Sequence, residues 1–270
     1  LVILTAGIDL NIGAIMIFSQ MVMANLAVSA SASNVLPVAG QNPWLAIGIG
    51  ILAGILAGGI NGFLIVRFNL PPFIVTLGTL SIWTAITLLL FKSRTIQEPE
   101  IPDELKWLGK TFTIGSFQLL FGVILMLVMY AIFTYILKNA AWGMHIYAVG
   151  DVPAAANLSG ISTKRVIFSL VSGLIIGIAG WVTLGRVGSA SPNVDPLLNL
   201  DTITAVVIGG TSLFGGRGTL IGSLIGALII TVVENGLSLA GLDQAYRVLA
   251  VGILVILAVA IDQWIRKVKT

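Results

Sequence analysis

Two short glycine-rich segments hold the residues whose types and spacing could support chemistry. The first, LTAGIDLNIG, begins at Leu4 and places Asp9 between apolar flanks, beside Gly7, Asn11 and Gly13. A charged side chain at the centre of a membrane costs about 2.5 to 3.5 kcal/mol on insertion scales, so its surroundings must compensate. Two interpretations are open. Asp9 and freed backbone amides line a cavity at a broken helix, or Asp9 is the N-cap of a helix near the membrane interface.

The second segment, GGTSLFGGRGT, begins at Gly209 and shares a pattern with the first. Four positions align: Gly7 with Gly210, Asp9 with Ser212, Leu10 with Leu213, and Gly13 with Gly216. Weak internal symmetry between interrupted membrane segments is typical of transporters built from repeats. We therefore expect broken-helix backbone beside a central cavity, at Asp9 in the first segment and Gly210 in the second. The glycines assigned to the broken helices are Gly7, Gly13, Gly209, Gly210, Gly215 and Gly216.

The sequence lacks the residue combinations of an enzyme or a nucleotide site. Cysteine is absent and histidine occurs once, at His145, which excludes a thiolate nucleophile and a multi-histidine metal cluster. The second glycine-rich segment lacks the Lys-Ser or Lys-Thr ending of a phosphate loop. Basic residues are scattered among apolar segments rather than gathered into a stripe, which argues against a nucleic-acid partner. We predict no catalytic residue, no metal and no cofactor.

Composition indicates a membrane protein. Of 270 residues, 57% are hydrophobic and 9% are charged, against about 25% charged in a soluble domain. Because a membrane helix needs about 20 apolar residues, the spacing predicts six spans and a longer region that divides into two. The spans are Ile12 to Ala30, Trp44 to Val66, Pro71 to Phe91, Leu119 to Leu137, Val166 to Val187 and Tyr246 to Ile265, and the divided region is Thr202 to Leu237. The predicted fold is all-α, a polytopic membrane helix bundle of about eight spans with broken or short membrane helices.

The charges give the orientation of these spans, because short cytoplasmic loops collect Lys and Arg. The basic tail and the stretch Lys138 to Arg165 are predicted to face the cytoplasm. The stretch Lys92 to Lys110, with four bases and four acids, and the loop Asp195 to Asp201 are predicted to face outward. With a single span in Thr202 to Leu237, the basic tail would face outward instead.

Glycines at small-xxx-small spacing are predicted to be packing positions. Such rows let helix backbones approach closely in a membrane. The two clearest rows are Gly50, Gly54, Gly58 and Gly218, Gly222, Gly226.

The predicted cytoplasmic stretch contains the sequence YAVGDVPAAANLSGI from Tyr147. Pro153 is favourable in the first turn of a helix and Gly160 can end one, so we predict a short helix from Pro153 to Ser159. Its small apolar residues allow two interpretations. The helix docks on a partner, or it rests on the bundle of its own chain.

Three blocks of the sequence resemble the permease subunits of bacterial ABC importers for ribose, xylose, galactose and related compounds. They are LTAGIDLNIGAIM from Leu4, YAVGDVPAAANLSGI from Tyr147 and AVVIGGTSLFGGRGTLIGSLIGAL from Ala205. The resemblance covers essentially the whole chain. It implies one transmembrane permease domain, residues 1–270, in the bacterial inner membrane. Full-length members have about ten spans by analogy, so we expect part of the N-terminus to be missing here.

The resemblance also implies partners and sites. The partners are an ABC ATPase subunit, a periplasmic or lipid-anchored sugar-binding protein, a second permease copy in a homo- or heterodimer, and membrane lipid. ATP hydrolysis would take place on the ATPase chain. The coupling loop, about residues 138–165, would dock on the ATPase through Gly150, Pro153, Ala155, Ala156, Ser159 and Gly160. Candidates for the translocation pathway are Asp9, Asn11, Asn61 and Ser212.

Other classes remain open on the residues alone. An ion- or proton-coupled secondary carrier would also use broken helices, but such carriers usually need acidic or histidine relays within spans. Only Asp9 and Glu234 could serve here. A membrane-embedded enzyme is disfavoured by the missing catalytic residues. Within the ABC class, a permease for an autoinducer or for branched-chain amino acids is a further alternative.

Overall fold

A computed structural model describes residues 1–28, 40–161 and 170–269. Within these ranges there are ten α-helices, two 3₁₀ turns and one two-stranded antiparallel sheet. The helices are α1 Ile12–Ala27, α2 Pro43–Phe68, α3 Pro72–Phe91, α4 Phe121–Asn139, α5 Ala141–Asp151, α6 Pro153–Leu158, α7 Leu170–Val187, α8 Pro196–Ile208, α9 Leu220–Leu239 and α10 Gln244–Lys269. The 3₁₀ turns are Val2–Thr5 and Trp107–Gly109, and the strands are β1 Thr111–Ile114 and β2 Phe117–Leu120.

The predicted polytopic helical fold is confirmed. Five helices are long and apolar enough to cross a membrane, namely α2, α3, α4, α7 and α9. Three shorter apolar stretches accompany them: Ile12–Ala27, Leu197–Ile208 and Gln244–Leu257. The predicted end of the first span at Ala30, the start of another at Val166 and the end of the coupling stretch at Arg165 lie outside the described residues.

The long apolar region after Thr202 is two helices, as predicted, but the first begins earlier. The helix α8 begins at Pro196, so Asp201 lies in a helix and not in the predicted outward loop Asp195 to Asp201. Proline suits the first turn of a helix because its fixed φ is already helical. Polar residues misled the prediction, since Asn199 is buried within this helix.

The chain forms two compact units. The larger unit comprises Asp9–Met129 and Ile167–Asp195. Its central element is α1, which is buried along most of its length and packs against α2, α3 and α7. A helix that is apolar on all sides is stable only when it is surrounded, and α1 meets that condition.

Glycines bring two helices of the larger unit into backbone contact, as the small-residue rows predict. A Cβ atom added at Gly54 would lie 3.0 Å from the carbonyl oxygen of Gly173, and one at Gly58 would lie 2.9 Å from the Cα of Gly173. From α7, a Cβ at Gly177 would lie 3.0 Å from the Cα of Ile51. The crossing of α2 and α7 therefore has room for no side chain at these positions.

The smaller unit comprises Leu1–Ile8, Tyr130–Val166 and Pro196–Thr270. Its helices α8, α9 and α10 pack against one another. A Cβ added at Gly209 would collide with the backbone of Gly222, and one at Gly226 would collide with the carbonyl of Ala205. A second small core holds α5 and α6 against the N-terminal turn. It is formed by Leu4, Leu137, Ile146, Val149 and Ala156.

The connection between α3 and α4 is folded rather than a simple loop. Lys106 donates hydrogen bonds to Glu98 at 2.8 Å and to Asp103 at 2.9 Å, and Arg94 pairs with Glu100. The hydrogen bond from Lys106 and its positive charge lower the pKa of Asp103. The strands β1 and β2 follow, so the membrane helix begins at Phe121 and not at Leu119 as predicted.

Candidate functional site: a glycine junction and buried amides

Three chain segments of the smaller unit meet at a junction made of backbone. The amide of Gly216 donates a hydrogen bond to the carbonyl of Leu4 at 2.9 Å. A Cβ atom added at Gly150, in the last turn of α5, would collide with the same carbonyl. A Cβ at Gly215 would lie 2.6 Å from the amide nitrogen of Ala6 and 2.8 Å from the carbonyl oxygen of Gly150. Only glycine fits at these crossing points, and we name this contact the glycine junction.

A side chain strengthens the link between α5 and the glycine-rich loop 209–219. The hydroxyl of Tyr147 donates a hydrogen bond to the carbonyl of Gly218 at 2.9 Å. On the same helix, Ile146 and Val149 are buried in the core that also contains Leu4. The glycine junction thus joins the three segments that carry the resemblance: the N-terminal segment, the coupling loop and the last broken segment.

The two aligned segments use the same local hydrogen bond. The carboxylate of Asp9 accepts from the amide of Asn11 at 2.9 Å. The hydroxyl of Ser212 accepts from the amide of Phe214 at 3.2 Å. Asp, Ser and similar residues make this contact with a backbone amide two positions ahead when the chain turns. The two segments therefore share this turn, although Gly7 and Gly13 lack the positive φ of their aligned counterparts Gly210 and Gly216.

The backbone of both segments is non-helical at the predicted residues. Residues 7–11 lie between the first 3₁₀ turn and α1, while Gly210, Gly215 and Gly216 have positive φ values of 81°, 84° and 70°. The N-cap interpretation of Asp9 is wrong in detail, because the N-cap residue of α1 is Asn11. The hydrogen bond that the Asp9 carboxylate accepts from the Asn11 amide instead closes a turn just before the helix begins. Gly13 differs from the other glycines assigned to broken helices, since it lies within α1.

Buried amides with unused hydrogen-bonding atoms occur in the larger unit. The side-chain amide of Asn11 donates to the Thr79 hydroxyl at 2.9 Å, but its oxygen has no partner among the described residues. Asn61, on α2, is 4% exposed, and neither of its amide atoms has a partner within the described part of the chain. The side-chain amide oxygen of Gln20 and the indole nitrogen of Trp83 also have no hydrogen-bond partner among the described residues.

Two of these groups lie along the seam between α1 and α3. Trp83 is one helical turn beyond Thr79, the partner of Asn11. Its ring lies 4.8 Å from that of Phe18. An amide oxygen, an indole N–H and two aromatic rings thus follow one another along this seam. Buried polar groups normally have partners, so unused ones are candidates for contact with a polar molecule.

The predicted short helix is present at the end of the coupling stretch. It is α6, Pro153–Leu158, with Pro153 at its first turn, and Gly160 follows with a φ of 80°. Ala156 faces inward and is 4% exposed, whereas Leu158, two positions later, is 91% exposed. Residues two apart lie on nearly opposite sides of a helix. Ala156 therefore belongs to the core, and Ala155 and Leu158 lie on the exposed surface.

Comparison with known proteins identifies the class. A family described as the branched-chain amino acid transport system permease component matches residues 1–259. The chain belongs to this permease family. It is 45% identical to a fructose import permease protein of Rhizobium meliloti, over 99% of this chain and 73% of the relative. A ribose import permease of Bacillus subtilis is 37% identical, over 97% of this chain and 78% of the relative.

A third relative extends the range of named sugars. A D-allose transport system permease of Escherichia coli is 36% identical, over 98% of this permease and 78% of the relative. No solved structure matches the chain. The family and the apolar helices make this protein a multi-pass permease subunit of the bacterial inner membrane.

The structure divides the predicted pathway residues of the permease between its units. Asp9, Asn11 and Asn61 belong to the larger unit and Ser212 to the smaller one. Asp9 and Asn11 are in contact, whereas Ser212 is buried and its hydroxyl helps to close the glycine-rich loop. Gln20 and Trp83, whose unused polar atoms make them further candidates, were not predicted. A glutamine inside an apolar helix was the available signal for Gln20, and nothing in the sequence singled out Trp83.

Proposed function

We propose that this permease forms the membrane pathway of an ATP-driven sugar importer, with ATP hydrolysis on a separate subunit. This proposal rests mainly on the 45% identity, over 99% of the chain, to a permease named for fructose import. The family description mentions branched-chain amino acids, but these three relatives are named for fructose, ribose and allose. On this proposal residues 1–270 act as one permease domain.

The buried amides support a polar solute. A carboxamide offers two donors and an acceptor with two lone pairs, and sugar hydroxyls can match both. A buried polar group without a partner costs about 1 to 3 kcal/mol, so a passing sugar that satisfied it would be stabilised. We place Asn11 and Asn61 on the pathway for this reason. Asp9 and Ser212 remain pathway candidates, although each already accepts a local backbone hydrogen bond.

The exposed side of α6 supports contact with the ATPase. Leu158 and Val152 are 91% and 50% exposed at the two ends of this helix. Beside them, Ala155, Pro153, Ser159 and Gly160 are also exposed. A surface leucine in a loop predicted to face the cytoplasm is expected to pack against a partner. Of the predicted docking residues, Ala156 and Gly150 have internal roles instead.

The glycine junction supplies a route from this helix into the membrane region. The turn of α5 that ends at Asp151 leads directly into α6, and Gly150 in that turn contacts the carbonyl of Leu4. The carbonyl of Leu4 also accepts a hydrogen bond from the amide of Gly216, which belongs to the second glycine-rich segment. Displacement of α6 by the ATPase would therefore move the backbone at Leu4 and at Gly216, within the smaller unit. A sugar-binding protein and a second permease copy complete the proposed importer.

Uptake by the assembled importer tests this function. The permease would be expressed with the ATPase and the binding protein encoded beside its gene, in bacteria that lack their own importers for the sugars tested. Radiolabelled fructose, ribose, allose and leucine would be supplied separately. We expect accumulation of a sugar that is lost when the ATPase is inactivated and persists with a protonophore. Accumulation of leucine alone, or uptake that follows the proton gradient, would contradict the proposal.

A further inference from the structure

The strands β1 and β2 form a hairpin directly before α4. Phe112 lies opposite Leu119, and Thr113 lies opposite Gln118. Residues opposite each other, or two apart along a strand, share a face of a sheet. Phe112, Phe117 and Leu119 therefore share one face, which we name the apolar hairpin face. Thr111, Thr113, Gln118 and Leu120 share the other.

The apolar hairpin face is uncovered along much of its length. Phe117 is 75% exposed and Leu119 is 37% exposed, while the Phe112 ring packs 5.1 Å from that of Phe121. A two-stranded hairpin is marginally stable in water unless a further surface covers its apolar side. Exposed aromatic and aliphatic side chains on one face thus imply an apolar neighbour.

The position of the hairpin identifies that neighbour. Strand β2 ends at Leu120 and α4 begins at Phe121, so no linker separates the hairpin from a membrane-crossing helix. The lipid surface that surrounds the first turn of α4 therefore reaches the hairpin. Trp107 stacks on Phe121 with ring centroids 5.2 Å apart, and it also stacks on Trp181. Tryptophans gather at the level of the lipid headgroups.

The charge and the hydrogen-bonding groups of the hairpin agree with a position at the level of the lipid headgroups. The hairpin residues 111–120 carry no charge, while the preceding stretch 92–110 carries four bases and four acids. The outer edges of a two-stranded hairpin leave backbone amides and carbonyls unpaired, which the hydrocarbon core does not tolerate. Headgroups and their water can satisfy those groups while apolar side chains reach the acyl chains.

From the hairpin geometry we infer that the apolar hairpin face is a lipid-binding surface. The hairpin lies at the membrane interface, with Phe117 and Leu119 among the upper acyl chains and Thr113 and Gln118 toward water. It would hold the folded connection 92–120 against the bilayer. This surface is independent of the transported solute and of the ATPase.

Spin labels on adjacent residues can test this inference, because the chain has no native cysteine. Phe117→Cys and Gln118→Cys would each carry a nitroxide on opposite faces of one strand. The full chain would be placed in liposomes of phosphatidylethanolamine and phosphatidylglycerol. We expect the label at 117 to collide several-fold more with oxygen than with a water-soluble nickel complex. At 118 we expect the reverse.

A second pair of variants repeats the comparison of the two faces in case either variant of the first pair fails to fold. Leu119→Cys and Thr113→Cys place labels on the apolar and polar faces respectively. Equal nickel accessibility on both faces in liposomes would overturn the inference. So would nickel accessibility at 117 that falls only when the binding protein is added, since a soluble partner would then be the neighbour.

Discussion

The hydroxyl of Tyr147 lies 2.9 Å from the backbone carbonyl of Gly218, across a sequence separation of 71 residues. This hydrogen bond fastens α5, which precedes the proposed coupling helix, to the loop that ends at Thr219. The loop has no regular secondary structure to support it. A tether of this kind would couple movement of α5 to movement of the loop.

We predict that Tyr147→Phe uncouples the permease without unfolding it. Loss of one internal hydrogen bond costs about 0.5 to 1.5 kcal/mol, so the thermal unfolding midpoint in detergent should fall only slightly. Sugar uptake should fall more strongly than the midpoint suggests. Tyr135→Phe is the matched control, because Tyr135 is 69% exposed and lies on the preceding helix. Equal uptake in the two variants would show that the Tyr147 hydroxyl has no part in coupling.

We predict that an alanine substitution in the glycine junction destabilises the permease. In Gly150→Ala, the new methyl group would meet the carbonyl of Leu4, which belongs to another segment. Overpacking of this kind costs about 1 to 3 kcal/mol and shifts the backbone. We expect a lower unfolding midpoint and little uptake. In Gly236→Ala the added methyl meets nothing within 4 Å, so this helical control should be neutral or slightly stabilising.

Asn61 predicts effects of opposite sign on stability and transport. Asn61→Leu removes two buried polar atoms that have no partner among the described residues. Removing such atoms relieves a penalty of about 1 to 3 kcal/mol, so the unfolding midpoint should stay level or rise. Uptake should fall if the amide meets the sugar. The control is Asn25→Leu, since the Asn25 amide donates to the carbonyl of Met21 in its own helix.

A joint fall in stability and uptake for Asn61→Leu would contradict this prediction. That result would assign the amide a structural partner and remove Asn61 from the pathway.

We predict that a positive charge introduced on the exposed side of α6 releases the ATPase from the permease. Leu158→Arg and Ala155→Arg each put a charge on the surface proposed to dock, and an unpaired charge buried at an interface costs several kcal/mol. We expect the ATPase to be lost from detergent-purified complexes while the permease still reaches the membrane. Leu239→Arg is the control, because Leu239 is 90% exposed and lies at the end of α9, one predicted span before the basic tail that is predicted to face the cytoplasm.

Normal co-purification of the ATPase with both α6 variants would mean that this helix merely rests on its own bundle. The distinction is sharp because Ala155 and Leu158 are exposed, so neither arginine should disturb the permease core.

The sequence predicted the spans and α6 because their signals are local. Pro153 and Gly160 mark the two ends of α6 within eight residues, and apolar runs mark the membrane helices. Other parts were mis-predicted where two local signals merged. Leu119 and Leu120 extend the apolar run of α4, so the end of the hairpin was included in the predicted span. Asp201 suggested a loop, although Pro196 had already started a helix.

The candidate site was less accessible to prediction. The contact of Gly150 with Leu4 and the bond from Gly216 to Leu4 join segments far apart in sequence through backbone atoms alone. Glycine can signal a turn, a bulge or a close approach, so its presence does not name a partner. The matching turns at Asp9 and Ser212 were the exception, since a shared residue pattern preceded the shared hydrogen bond.

The crossing of α2 and α7 has a genetic consequence. When a bulky residue disrupts a packed core, a second mutation to a smaller neighbour can often restore the space. Gly54, Gly58 and Gly173 approach one another's backbone, and Gly177 approaches the backbone of Ile51, so a smaller side chain at a neighbour cannot restore the space. Selection for suppressors of a Gly173 substitution should therefore return true revertants or changes elsewhere that shift a whole helix. Compensating alleles at Gly54 or Gly58 should not arise.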